Sequence, residues 1–360
     1  MSKRVTLALT PGLLDWLAAD PAWPRMPAPW RLAQRWRAFW GGINARQSAA
    51  LNDAQTAPAL QAPVFIVGPW RSGTTVMHEL LTAATGCASP RTWQCMNAPA
   101  FSLSSRQQKS VSIARPMDGL AIDAESPQED EFAMLALGID SAYRAFLMPH
   151  RIGALRHTLD PAHWIEDRSW LAPWEDFLRG VLRTGDGRQP LILKSPNHSF
   201  RLRALLRRFP DAKLVWMARD PRAVFHSNRK MWRAMFDAHG LTPPDWDALD
   251  GFIDEALSRS ADVLDECRTT LPSRQLAICD HEALQADPGA AVNALLGQLE
   301  LPHAQDRQAL TRAIERTRSG RVEHYPDLLP EALQGGALKL QHAQARALGA
   351  QPGNATARPS

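Results

Sequence analysis

The run Gly68-Pro69-Trp70-Arg71-Ser72-Gly73-Thr74-Thr75 reads G-x-x-x-x-G-T-T. Two glycines at that spacing let the backbone curl so that successive N–H groups point inward. A helix starting just beyond them adds its positive end, and the segment reads as a cradle for a phosphate-like anion. In nucleoside-triphosphate enzymes a lysine at the place of Thr74 reaches the β- and γ-phosphates. Its absence argues against ATP or GTP hydrolysis. Arg71, inside the loop, supplies a cation whose guanidinium can fork onto two phosphate or sulfonate oxygens. A strand-to-helix turn that holds no ligand is the bland alternative.

The elements around the loop agree with a cradle. Pro63-Val64-Phe65-Ile66-Val67 is a short apolar run of the kind found in buried parallel strands. Thr75 to Ala84 follows with helical periodicity. Further strands are expected at Leu191 to Lys194, Lys213 to Ala218 and Gln275 to Cys279. Helices are expected at Phe200 to Phe209, after Pro221, and over 250–268, 288–299 and 304–318. Strands alternating with helices predict an α/β fold. The expected form is a three-layer sandwich around a central parallel sheet, of P-loop nucleotide-binding type, with extra N-terminal and lid helices.

Residues 1–60 are expected as an N-terminal helical extension, 61–335 as the main domain and 336–360 as a flexible tail that frays. The extension contains Trp16, Trp23, Trp30, Trp36 and Trp40 among Arg31, Arg35 and Arg37. It reads either as a helical layer packed on the domain or as an amphipathic surface helix. Residues 87–190 are less regular. They carry the acidic run Glu125-Ser126-Pro127-Gln128-Glu129-Asp130-Glu131, a helix-start pattern.

The 360 residues are 45% hydrophobic and 22% charged, with a formal charge of +4. That suffices for a large core and excludes wholesale disorder. The mild basic excess suits an anionic ligand, and no base-reading motif or basic tract points to nucleic acid. The four cysteines form no C-x-x-C pair or zinc spacing, so reduced thiols and a cytoplasmic location are expected. No segment has the length and apolarity of a membrane span or a signal peptide.

Val67 to Thr75 resembles the 5′-phosphosulfate loop of sulfotransferases that use 3′-phosphoadenosine 5′-phosphosulfate (PAPS). Leu214 to Ser227 resembles their second motif, in which a strand delivers an arginine and a serine follows eight residues later. Arg219 and Ser227 occupy those positions, and the resemblance implies that both contact the donor's 3′-phosphate. Leu193-Lys194-Ser195-Pro196-Asn197-His198 resembles the L-K-x-P-x-H segment of a bacterial branch. So do Arg115-Pro116-Met117-Asp118 and Ser126 to Glu131. The likeness covers roughly residues 60–330. Independently, Arg219 falls at the carboxyl end of a strand, where open α/β sheets bind ligands. Pairing with Asp220 or with a helix end is its structural alternative.

The resemblance implies transfer of a sulfonyl group from PAPS to a hydroxyl or amine of a small acceptor. The tryptophans and methionines hint at an apolar, lipid-like one. Arg71, Ser72, Gly73, Thr74 and Thr75 are the expected donor-binding loop residues, with Lys194 at the leaving oxygen. No metal is expected, and a homodimer is left open. In relatives a glutamate or histidine takes the acceptor's proton. Gln94 stands where that acid is expected and cannot act as a base, so His198 and Glu129 are the candidates, with Asp130 behind them. Glu129 fits a helix-start acid equally well, and His198 an orienting role. Trp70 and Trp93 are either ligand contacts or packing, and Arg321, His324 and Tyr325 are candidates to close over the donor. The rivals are a kinase or nucleotidase on the same fold, and a nucleotide-binding protein without catalysis.

Overall fold

A computed structural model describes residues 9–54, 58–103, 113–114, 121–184, 189–306, 308–317 and 329–349. Arg115 to Asp118, and Arg321, His324 and Tyr325, lie outside them. The central sheet comprises β1 (Val64–Val67), β4 (Ile192–Lys194), β5 (Lys213–Ala218) and β6 (Leu276–Asp280), all parallel, in the order β4-β1-β5-β6. Ile113–Ala114 (β2) and Ala121–Ile122 (β3) form a separate antiparallel ribbon.

The strands are apolar on both sides, as a parallel sheet between helix layers requires. Phe65, Val67, Leu214 and Trp216 face one large core with Trp174, Phe200, Trp232 and Phe252. Val64, Ile66, Val215 and Met217 face a second core with Met77, Leu80, Leu81, Val292 and Leu295. Alternate residues of one strand therefore serve different layers, which makes the three-layer sandwich. All four cysteines are buried and free.

The helices match the sequence expectations in kind and differ at their ends. They run over Thr74–Thr85, His198–Arg208, Pro221–His239, Trp246–Thr270, Pro288–Gln298 and Ala309–Thr317. One segment differs more. Residues from Gly335 to Ala347 form a helix rather than a frayed tail. Leu340 and Ala343 are fully buried, and the helix packs along Trp246–Thr270. An Ala- and Gln-rich composition is low in large apolar groups yet has good helix propensity, and docking supplies the rest. The Trp-rich N-terminal stretch contains one long helix, Ala28–Ala54, packed on Pro11–Ala18, Phe101–Leu103 and Leu171–Thr184.

Every strand of the sheet ends at a residue of chemical interest. β1 runs into Gly68, β4 ends at Lys194, β5 delivers Arg219 and β6 delivers His281. The carboxyl edge of the sheet is where open α/β folds place ligands.

Candidate active site

The loop after β1 needs glycine at two places. Gly68 has φ +124° and Gly73 φ +100°, a region L side chains rarely enter. A Cβ at Gly68 would lie 2.7 Å from the Met217 carbonyl oxygen, and one at Gly73 would lie 2.8 Å from the His281 ring. Arg71 also adopts positive φ, at +70°. The loop is braced from behind: Gly68 N–H donates to Ser199 Oγ at 3.0 Å, and Ser72 Oγ donates to the Pro69 carbonyl at 2.8 Å. Helix Thr74–Thr85 opens directly from Gly73, with its first N–H groups at the loop.

The two motifs, far apart in sequence, meet here. Arg71 Nε donates to Ser227 Oγ at 3.1 Å, and Arg219 donates to the Arg71 carbonyl at 2.8 Å. Asn228 reaches the Trp70 carbonyl at 2.9 Å. Asp220 caps helix Pro221–His239 through the Arg222 N–H at 3.1 Å. Arg71, Ser72, Gly73, Thr74, Thr75, Arg219 and Ser227 thus form one assembly. Sequence reasoning missed His281, which follows β6 and lies against Gly73. Burial and the charge of Arg219 hold its pKa down at about 4, so the imidazole is neutral at pH 7.

Lys194 and Glu129 lie beside the loop. Lys194 Nζ donates to Thr75 Oγ1 at 3.2 Å and forms a short ion pair with Glu129 Oε1. Tyr143 OH donates to the other carboxylate oxygen at 2.7 Å. Burial, then Glu129, pushes the phenol pKa well up, so Tyr143 stays a donor. Glu129 precedes helix Asp130–Ala136 in the N-cap position, but its side chain caps nothing there. It turns toward Lys194 instead.

His198 is set apart from the loop. It is fully buried, its Nε2 lies 2.8 Å from Asp130, and Phe65 and Trp174 pack edge-on against the ring. Burial alone would raise the Asp130 pKa, but His198, Trp174 and Arg201 hold it below the usual carboxylate value. Glu131 pairs with Arg201 on the same side, with one bond at 3.0 Å. Three consecutive acids thus meet Lys194, His198 and Arg201.

Gln94 is buried in a structural role. Its carbonyl accepts the Arg91 N–H at 2.7 Å, at the start of helix Thr92–Met96, and its amide donates to Thr184 at 2.9 Å. Trp70 is packed among Phe200, Trp232 and Phe252, and Trp93 against Phe101. The Asp140, His157 and His163 side chains are grouped closely enough to hold a cation, yet Asp140 is already paired with Arg144 at 2.8 Å. No described helix is long and apolar enough to cross a membrane.

The signature of the sulfotransferase family spans residues 63–306, enclosing the loop, Glu129, Lys194, Arg219 and His281. The omega-hydroxy-beta-dihydromenaquinone-9 sulfotransferases Stf3 of Mycobacterium bovis and Mycobacterium tuberculosis are 33% identical over 248 residues. That stretch is 66% of this chain and 63% of the length of those relatives. The fold is that of solved sulfotransferases. STF9 from Mycobacterium avium superposes with a TM-score of 0.64 at 16% identity, over 97% of this chain and 99% of that one. STF1 from Mycobacterium tuberculosis H37Rv does so with 0.58 at 17% identity, over 94% and 90%. A loop without the triphosphate lysine, joined to a second basic motif and enclosed by this signature, places the chain in the sulfotransferase family.

Proposed function

We propose that the chain is a sulfotransferase that uses PAPS to sulfonate a hydroxyl on an apolar, lipid-like acceptor. The observation that carries the reading is the joining of the two motifs. Arg71 contacts Ser227, and Arg219 contacts the Arg71 backbone, so one assembly offers cations and hydroxyls to a donor with two phosphate groups. Glycine at 68 and 73 lets the loop take the positive φ angles it has while packing against Met217 and His281, the kind of tight turn before a helix that receives anions. Arg71 and Ser72 to Thr75 would hold the 5′-phosphosulfate, and Arg219 and Ser227 the 3′-phosphate. The hydroxyl-bearing quinone named for the Stf3 relatives supports an acceptor of the same chemical class.

When bound, PAPS supplies a sulfonyl group whose departure leaves negative charge on the 5′-phosphate oxygen. Lys194, anchored on Thr75 at the loop, is placed to neutralise that charge. As Lys194 is drawn to it, Glu129 Oε1 is released from its ion pair and takes the acceptor's hydroxyl proton. Tyr143 keeps the carboxylate oriented through Oε2. His198 acts as a positioning residue, fixing Asp130 and so the start of the helix that presents Glu129. His281 adds a neutral imidazole against Gly73, which does not compete for the anion's partners.

Thermal unfolding in the presence of 3′-phosphoadenosine 5′-phosphate (PAP), AMP or Mg-ATP tests the donor site. PAP at a hundredfold its Kd should add about 2.7 kcal/mol of stability, with AMP and Mg-ATP adding far less. Equal stabilisation by Mg-ATP, or none by PAP, overturns the reading. Lys194→Ala should abolish turnover while retaining the PAP shift, whereas Arg219→Ala should lose the shift.

A further inference from the structure

The N-terminal helix Ala28–Ala54 carries aromatic groups on the side turned away from the protein. Leu32 is 69% exposed, Trp36 63%, Phe39 53% and Trp40 46%. At 3.6 residues per turn these four positions fall within an arc of about 100°. Gln34, Ala38 and Ser48, on the opposite side, are buried against the fold. The aromatic rings touch one another, with Trp36 and Phe39 stacked at 6.0 Å and Trp40 edge-on to both. They form one contiguous apolar ridge rather than scattered surface residues.

Charge decides what covers the ridge. From Pro21 to Leu51 the chain has five arginines, Arg25, Arg31, Arg35, Arg37 and Arg46, and no aspartate or glutamate. Arg35 and Arg46 lie along one edge of the ridge by helical position. A second copy of this chain would bring the same arginines face to face, with nothing acidic from Pro21 to Leu51 to meet them. A surface with apolar depth and negative charge meets both needs at once. Aromatic rings settle at the headgroup boundary, and arginines pair with anionic lipid phosphates.

We propose that helix Ala28–Ala54 is a membrane-surface anchor that lays Leu32, Trp36, Phe39 and Trp40 into the headgroup region of an anionic bilayer. The helix does not span it. The same helix packs on Phe101–Leu103 and Leu171–Thr184, which in turn hold Trp93 and Gln94 through Phe101 and Thr184. The anchor therefore sets the protein down next to the irregular region between β1 and β4. A bilayer-resident acceptor could then be reached without leaving the lipid phase. The anchoring itself stands independently of the reaction carried out at the loop.

Vesicle co-sedimentation tests it, with large unilamellar vesicles of phosphatidylcholine alone or of phosphatidylcholine and phosphatidylglycerol at about 7:3. The full chain should partition onto the anionic vesicles, and about 0.5 M salt should weaken binding several-fold. The triple variant Trp36→Ser/Phe39→Ser/Trp40→Ser should lose at least about tenfold in partitioning, and Arg35→Gln/Arg46→Gln about threefold or more. Because these side chains are exposed, both variants should keep the wild-type unfolding midpoint and the PAP-induced shift. Loss of docking is thereby told apart from failure of the donor site. Absence of wild-type binding to anionic vesicles overturns the proposal, as does a triple variant that binds within twofold of wild type. A dimer in sedimentation velocity that the triple variant abolishes, in a chain that ignores vesicles, assigns the ridge to a second copy instead.

Discussion

Glu129 and Glu131 are two residues apart, and each pairs with a cation from one short segment, Lys194 to Arg201. Their surroundings differ. Glu131 and Arg201 are both fully buried, with Ser141 and Ser195 adding hydrogen bonds to the carboxylate and Trp164 lying 4.1 Å from the guanidinium. Every polar atom of that carboxylate has a protein partner. The Lys194–Glu129 pair instead opens onto Thr75 of the loop, so its lysine already bridges to the anion cradle. The same ion-pair chemistry therefore lies sealed within the core in one place and against the glycine loop in the other. What separates them is the neighbour on the far side of the cation: a tryptophan face in one case, the phosphate loop in the other.

That contrast can be broken most sharply at the two acids. Glu129→Gln should lower turnover by about 10²- to 10⁴-fold, the range for a general base, while PAP binding stays within a few-fold. Glu131→Gln should do the reverse. It leaves a buried guanidinium underpaired and should cost about 3–5 kcal/mol in urea unfolding, with turnover of the remaining folded enzyme little changed. Equal effects of both substitutions on turnover would erase the distinction.

The pH dependence of stability sharpens it further, because the loop-side cations also act on buried histidines. Burial and then Lys194 hold His78 down to about 3, and burial and then Arg219 hold His281 down to about 4. Both folded pKa values lie below the usual 6.5, so the unfolded chain binds more protons in this range. Their contribution is present above pH 6.5 and is lost as pH falls from 6.5 toward 4. Urea-unfolding free energy should drop across that window, and His78→Gln should flatten the slope. A slope unchanged by the substitution would remove His78 from the account.

The smallest effect is expected at Gln94. Gln94→Glu restores an acid but keeps the carbonyl that caps Thr92–Met96, losing only the bond to Thr184. It should cost about 1 kcal/mol and leave turnover within threefold. A large gain in turnover would move the proton acceptor from Glu129 to this position.

Much of the donor side was legible in the chain. Gly68 and Gly73 announce themselves because positive φ and close approach tolerate little else, and the apolar run before them has few alternatives to a buried strand. The other half of the site was read less well. Glu129 carries two readings in sequence, helix-start acid or chemical group, and in the structure its side chain caps nothing and pairs with Lys194. His198 is as eligible as Glu129 in sequence; in the structure its ring is buried with Phe65 and Trp174 edge-on against it. Arg201 and His281 drew no notice, since one arginine in a basic helix and one histidine after a strand have no local mark. The tail helix Gly335–Ala347 was hidden for a related reason: its burial depends on the surface offered by Trp246–Thr270.

The sequence by itself determined the glycine loop after a buried strand and the parallel α/β layering, because each rests on backbone conformation or periodicity within a few residues; the second basic motif was legible only through its resemblance to a family pattern. Only the tertiary structure decided which acid meets the loop, which histidine is sealed away and which side of the Trp-rich helix faces out. The acid pairings depend on partners 65 to 70 positions distant, Glu129 with Lys194 and Glu131 with Arg201. The Coulomb and desolvation energies that fix them exist only once the chain has closed around both groups.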